Sequence, residues 1–162
     1  MKVFSASDLN ALTQQACSSS RLRKHHNIHD DYQAPCQRLF NAIEQNSYIR
    51  PHRHANDSRE ELLMAVRGLM ALLIFDDGGN VTRVVHFGSE KYAPDIAAGV
   101  EVAPNIWHTV VALVPGSILL EVKEGPFDPT HPKDAAPWAP EELSSTAPAY
   151  MAWLVHKARW TC

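Results

Sequence analysis

Between residues 47 and 124 the chain alternates short apolar runs with turn-forming residues, and no run carries a helical stripe. The pattern predicts strands at 47–54, 61–67, 69–75, 81–87, 99–102, 107–114 and 117–124. Turn chemistry separates them: Arg67-Gly68, Asp76-Asp77-Gly78-Gly79-Asn80, Pro104-Asn105 and Pro115-Gly116. Parallel α/β architecture needs a helix between strands, so the series predicts an all-β sandwich or barrel. Upstream, Ser5 or Ser7 caps a helix over 5–17, with Leu9, Leu12 and Ala16 at helical spacing. Ser18-Ser19-Ser20 ends it. Residues 21–29 are dense in charge; if extended, Arg23, His25, Asn27 and His29 share one face. Asp30 to Pro35 reads as a loop, and Gln37 to Ile43 as a strand, although its apolar spacing also suits a helical turn.

Gly125-Pro126 closes the β-series, and five prolines between 126 and 140 argue against regular structure there. Pro148 to Trp160 predicts a last helix capped by Thr146, its apolar face formed by Tyr150, Trp153 and Leu154. The chain thus divides into an N-terminal helix (1–20), a barrel preceded by a basic strand (21–142) and a C-terminal extension (143–162).

The length of 162 residues fits one domain with one core, and 45% hydrophobic against 20% charged residues is a globular composition. A net charge of −3 gives no field that argues for nucleic acid or an anionic membrane. No apolar run approaches the roughly 18 residues of a membrane span, and the first residues lack the apolar stretch of a signal peptide. Cys17, Cys36 and Cys162 are scattered and odd in number, which predicts reduced thiols and a cytoplasmic protein.

Nine histidines form a high count, and three of them stand where chemistry is expected. His52 and His54 are two apart, so a strand points both imidazoles to one face. Glu60 and Glu61 open the next apolar run, and His108 enters another. Two close histidines, a carboxylate and a remote histidine suit a divalent transition metal with open coordination positions: Fe, Mn, Ni or Zn. Strand parity puts Tyr48 and Arg50 on the face of His52 and His54, Leu63 and Ala65 on that of Glu61, and Val110 on that of His108. Arg50 suits a carboxylate or phosphate, and Tyr48 a proton donor, unless both pack at the barrel end. Glu121 and Lys123 share a face, either as a surface ion pair or as inward acid–base groups. Lys24, Asn27 and His29 belong either to an anion-binding flap across the pocket mouth or to a solvated or dimer-forming strand; a second metal site at His25 and His29 is the weaker option.

The motifs resemble those of the cupin superfamily. Its first motif, Gly, five residues, His-x-His, Glu, six residues, Gly, is matched by Asn46, His52-Arg53-His54, Glu61 and Gly68. Its second, Pro-x-Gly-x-x-His, is matched by Pro104-Asn105-Ile106-Trp107-His108. Asparagine replaces glycine at 46 and 105; it is the side chain that best tolerates a left-handed turn. Glu61 fits the spacing to Gly68, with Glu60 as the alternative, and position 112, where the second motif usually ends on asparagine, is Ala. Arg21-x-Arg23-Lys24-His25-x-Asn27-x-His29, Ser47-Tyr48-Ile49-Arg50-Pro51-His52-Arg53-His54, Trp107-His108-Thr109 and Glu121-Val122-Lys123-Glu124-Gly125-Pro126-Phe127 further resemble WbuC-type cupin metalloproteins, known mainly from O-antigen polysaccharide gene clusters. The resemblance implies a single double-stranded β-helix, or jelly-roll barrel, holding one metal, and a homodimer. The expected function is that of a metal-dependent isomerase or epimerase acting on a small carbohydrate-derived or carboxylate- or phosphate-bearing substrate. An Fe(II) dioxygenase and a non-catalytic metal-containing binding protein are the alternatives.

Overall fold

The computed structural model describes residues 1–54, 59–130 and 133–159. His131, Trp160 and Cys162 lie outside the described residues. Helix α1 (Ala6–Cys17) starts where the sequence places its cap. The Ser5 hydroxyl accepts the Asp8 N–H at 3.3 Å, and the Asp8 carboxylate accepts the Ser5 N–H at 2.8 Å, so two orphan donors are satisfied at once.

Among the described residues ten strands follow: β1 (Arg23–Asn27), β2 (Cys36–Ile43), β3 (His52–Arg53), β4 (Glu61–Arg67), β5 (Leu69–Phe75), β6 (Val81–Gly88), β7 (Gly99–Val102), β8 (His108–Ala112), β9 (Ser117–Glu124) and β10 (Asp134–Ala135). Helix α2 (Ala147–Lys157) comes last. The strands form two antiparallel five-stranded sheets, ordered β1-β2-β9-β4-β7 and β10-β3-β8-β5-β6. Apart from β1–β2 and β5–β6, neighbours in the sheets are not consecutive in sequence, which is the jelly-roll arrangement expected from the motifs.

Side-chain alternation sorts the core into three layers. Between the sheets lie Ile43, Leu63, Met70, Leu72, Val110 and Leu119. Helix α1 covers the outer face of the first sheet through Leu12 and Ala16, against Phe40, Ala42 and Ile118. Helix α2 covers the outer face of the second through Met151 and Leu154, against Ala71, Leu73, Trp107 and Val111. Strand β5 therefore has apolar partners on both sides, which is why Leu69–Phe75 shows no polar alternation.

Three local expectations change. The predicted strand 47–54 shrinks to His52–Arg53, because the residues before it bond outside any ladder. Ser47 donates to the Arg21 carbonyl, the Ile49 carbonyl accepts from Thr109, and Pro51 has no N–H. The proline-rich stretch nonetheless contributes β10, a two-residue bridge whose Asp134 and Ala135 pair with Arg53 and His52 between prolines rather than at them. Thr146 occupies the cap position of α2, but its side chain makes no capping bond. The turns hold as read: Asn46 and Asn105 adopt φ of 67° and 59°, and Gly68 adopts 87°.

Two stability outcomes follow. At Gly68 a methyl group would meet the Ser117 Cα at 2.8 Å in a left-handed backbone. Gly68→Ala is expected to cost about 2–4 kcal/mol in urea unfolding, from strain plus overpacking; a change below about 0.5 kcal/mol would contradict the packing described. Leu154 is 0% exposed in the layer it shares with Trp107. Leu154→Ala should therefore cost about 2–5 kcal/mol, whereas a helix resting loosely on the barrel would show almost none.

Candidate metal centre

Strands β3 and β8 are antiparallel neighbours with His52 directly opposite His108. Both rings point inward, with centroids 4.6 Å apart. Alternation returns His54 to the same side, its ring 5.4 Å from His52 and 6.0 Å from His108. The Nδ1 of His52 lies 3.1 Å from the Arg50 carbonyl and that of His108 lies 2.8 Å from the Ile106 carbonyl. A carbonyl only accepts, so Nδ1 carries a proton in both and Nε2 faces the site interior. Burial, with the positive charge of Lys133 nearby, pushes the His52 imidazole well below its ordinary pKa, so it is held in the neutral, ligating form.

One ligand nitrogen from each of the three histidines falls within 4.8 Å of the others. Glu61, at the start of β4, brings its Oε2 to 3.4 Å from His108 Nε2 and 3.7 Å from His54 Nε2. Glu61 is 5% exposed, whereas Glu60 is exposed and turned outward. Metal–nitrogen bonds of about 2.0–2.1 Å put ligand atoms roughly 3–4 Å apart, so closing this set on one ion takes side-chain shifts of the order of an ångström. Three imidazoles and a carboxylate fit a divalent transition metal.

The first sheet forms the opposite wall. In its register Glu61 faces Lys123, which faces Gln37; the next row reads Leu63, Glu121, Leu39, Asn27. Neighbouring positions in a row are about 4.8 Å apart. The carboxyls of Glu61 and Glu121 interact with each other, which lowers the pKa of the first and raises that of the second. Burial and the adjacent Glu61 charge push Glu121 well above the carboxylate range. Burial acts to raise Glu61 too, but contacts with His108 and His54 prevail and hold it well below that range. These groups open on a cavity of about 910 Å³ with an apolar floor that includes Leu63, Leu119 and Val110.

Other expected site residues divide clearly. Asn27, His29, Glu121 and Lys123 line the cavity, as do Arg23 and His25 on the face they share. His29 has its Nδ1 engaged by the Arg38 backbone, and among the described residues only His52, His54 and His108 form a metal-type cluster. Lys24 is exposed and alternates away from that wall. Tyr48 and Arg50 do not share the histidine face, because the chain is not a strand before His52. The Tyr48 hydroxyl donates to the Pro140 carbonyl at 2.8 Å and its ring packs on Tyr150 in the outer core. The Arg50 guanidinium donates to the Ala136 carbonyl at 2.8 Å. Residues 21–29 supply Arg23, whose guanidinium pairs with Glu142 and donates to the Tyr48 carbonyl at 2.9 Å. Lys133 also lines the cavity near His52; it lies within the proline-rich stretch, where the sequence carries no periodic signal.

Solved structures share this architecture. A cupin 2 domain-containing protein from Halorhodospira halophila aligns with a TM-score of 0.51 and 17% identity, over 86% of this chain and 84% of that one. A Shewanella oneidensis protein aligns with a TM-score of 0.52 and 9% identity, over 68% and 72%. Oxalate decarboxylase from Bacillus subtilis, a protein with Mn(II) centres, aligns with a TM-score of 0.50 and 12% identity, over 70% of this chain and 27% of that one. At such identities the likeness is one of fold, and the fold is that of a cupin. No curated protein matches the sequence. A family model described as a domain of unknown function, DUF6016, matches residues 4–87, just over half of the chain, and the protein belongs to that family.

Proposed function

We propose that the protein is a metal-dependent enzyme of the isomerase or epimerase type, acting on a small carbohydrate-derived substrate that bears a carboxylate or phosphate. The observation that carries this reading is the convergence of His52, His54, His108 and Glu61 at the wall of a cavity of about 910 Å³. That volume suits a small metabolite, at the upper end of ordinary ligand pockets. A divalent metal held there supplies Lewis acidity, making a hydrogen next to a carbonyl easier to remove.

The chain's own groups provide the rest. Glu121 and Lys123 stand on β9 beside Glu61 and are placed to accept a proton from carbon and return it. The leucine floor keeps water from competing for that proton. Arg23 and Lys133 line the cavity and favour an anionic substrate group over a neutral one, while burial and the Arg23 charge hold the pKa of the neighbouring His25 low, at about 4. The resemblance of residues 21–29, 47–54 and 121–127 to WbuC-type proteins favours a sugar-derived substrate.

Two measurements check the reading. Elemental analysis after metal loading should find about one transition-metal ion per chain, retained through gel filtration. His52→Ala and His108→Ala should each lose it while staying folded by circular dichroism; wild type that never retains metal removes the proposal. In D2O, the loaded protein should exchange the hydrogen next to the carbonyl of one or more hydroxy-carbonyl sugar acids or sugar phosphates, read by NMR. Glu121→Gln should slow that exchange roughly 100-fold or more. Oxygen uptake with Fe(II) and no exchange would instead identify a dioxygenase.

A further inference from the structure

The segment that carries His52 and His54, β3 and the residue after it, is the least supported of those at the site. β3 is two residues long, and its ladder to β8 consists of the single pair His52↔His108. Its other backbone partner, β10, is equally short. Imidazoles borne on such a segment keep their geometry only if something besides the ladder fixes it.

That support lies on the opposite face. One residue on from the His52↔His108 pair, the antiparallel register sets Arg53 against Trp107, and alternation turns both outward. The Arg53 guanidinium carbon lies 4.3 Å from the Trp107 ring centroid. Its Nε is 3.5 Å from Asp134 of β10, and its Nη1 is 3.9 Å from Asp77 in the β5–β6 turn. Trp107 is anchored independently: it is 8% exposed, its indole N–H donates to Asp77 at 2.9 Å, its carbonyl accepts from Phe75 at 3.0 Å, and Trp138 packs on it at 6.2 Å. Arg53 therefore joins β3 to a fixed post, from a position between the two histidines.

We infer that Arg53 is a positioning residue for the metal centre. Its stacking on Trp107 holds His52 and His54 in the orientation that His108 and Glu61 complete. The stack matters more than the ion pairs, since the side chains of Asp77 and Asp134 are 92% and 43% exposed and such pairs contribute little. Loss of Arg53 leaves the Trp107 post standing, so it loosens the ligands without dismantling the outer core. This inference rests on the metal reading above.

The test uses Co(II) as probe, with affinity from chelator competition and site geometry from its visible absorption bands. Arg53→Met keeps an apolar stem but removes the guanidinium. It should weaken Co(II) binding about 10–100-fold and alter the visible bands, with a far-ultraviolet spectrum like wild type. Arg53→Lys, which restores a cation but not a planar one, should recover part of the loss; it carries the test if Arg53→Met does not fold. Wild-type affinity and bands in a folded Arg53→Met, or in Arg53→Lys where that variant alone folds, would overturn the inference and leave the metal centre intact. A wild type that binds no Co(II) and no other divalent transition metal would overturn both.

Discussion

The structure depends on one register. His52 lies opposite His108 across a ladder that is barely long enough to define it. A slip of one residue would turn His52 and His54 outward and bring Arg53 into the barrel. The apolar layers on either side make that slip costly. On the inner side, Val110 packs among Leu63, Leu72 and Leu119. On the outer side, Trp107 and Val111 pack under α2. Strand β8 is thus fixed by burial on both faces, and the short β3 takes its place from it. Helix α2 touches no ligand, yet it completes the layer against which Trp107 is held.

Burying Glu61 and Glu121 together would be unfavourable if each stood charged and alone. The wall resolves this by pairing them. Contacts with His108 and His54 hold Glu61 well below the carboxylate range, while burial and the neighbouring Glu61 push Glu121 well above it. Lys123 faces Glu61 across the ladder, and Lys133 approaches from the loop before β10. The same arrangement that makes the pair tolerable inside the barrel also leaves a carboxylate beside the imidazoles and a carboxyl group one row away.

Much of this was legible in the residues. The apolar runs at 61–67 and 107–114 marked both the strands and their inward faces, so Glu61, Leu63, His108 and Val110 fall where parity puts them. Asn46 and Asn105 were readable as left-handed turns because few other side chains accept that backbone. Parity failed at Tyr48 and Arg50 for a specific reason: alternation is a property of strands, and the chain becomes one only at His52. The bonds that hold Ser47 to Arg50 run to Arg21, Pro140 and Ala136, partners 26 to 92 residues away that no local pattern announces. Arg53 was hidden by the same logic that revealed its neighbours, since a residue between two ligands reads as facing away, and its importance depends on Trp107 being its opposite number. Strand β10 and Lys133 lie within a proline-rich stretch whose composition argued against regular structure.

The central claim is that one ion is shared by imidazoles from two strands and a carboxylate from a third. Anomalous diffraction from a metal-loaded crystal tests it most directly. The account predicts a single strong peak at about 2.0–2.3 Å from Nε2 of His52, His54 and His108 and from a carboxylate oxygen of Glu61. A peak elsewhere on the chain, or one bonded to His52 and His54 while His108 points away, would contradict it.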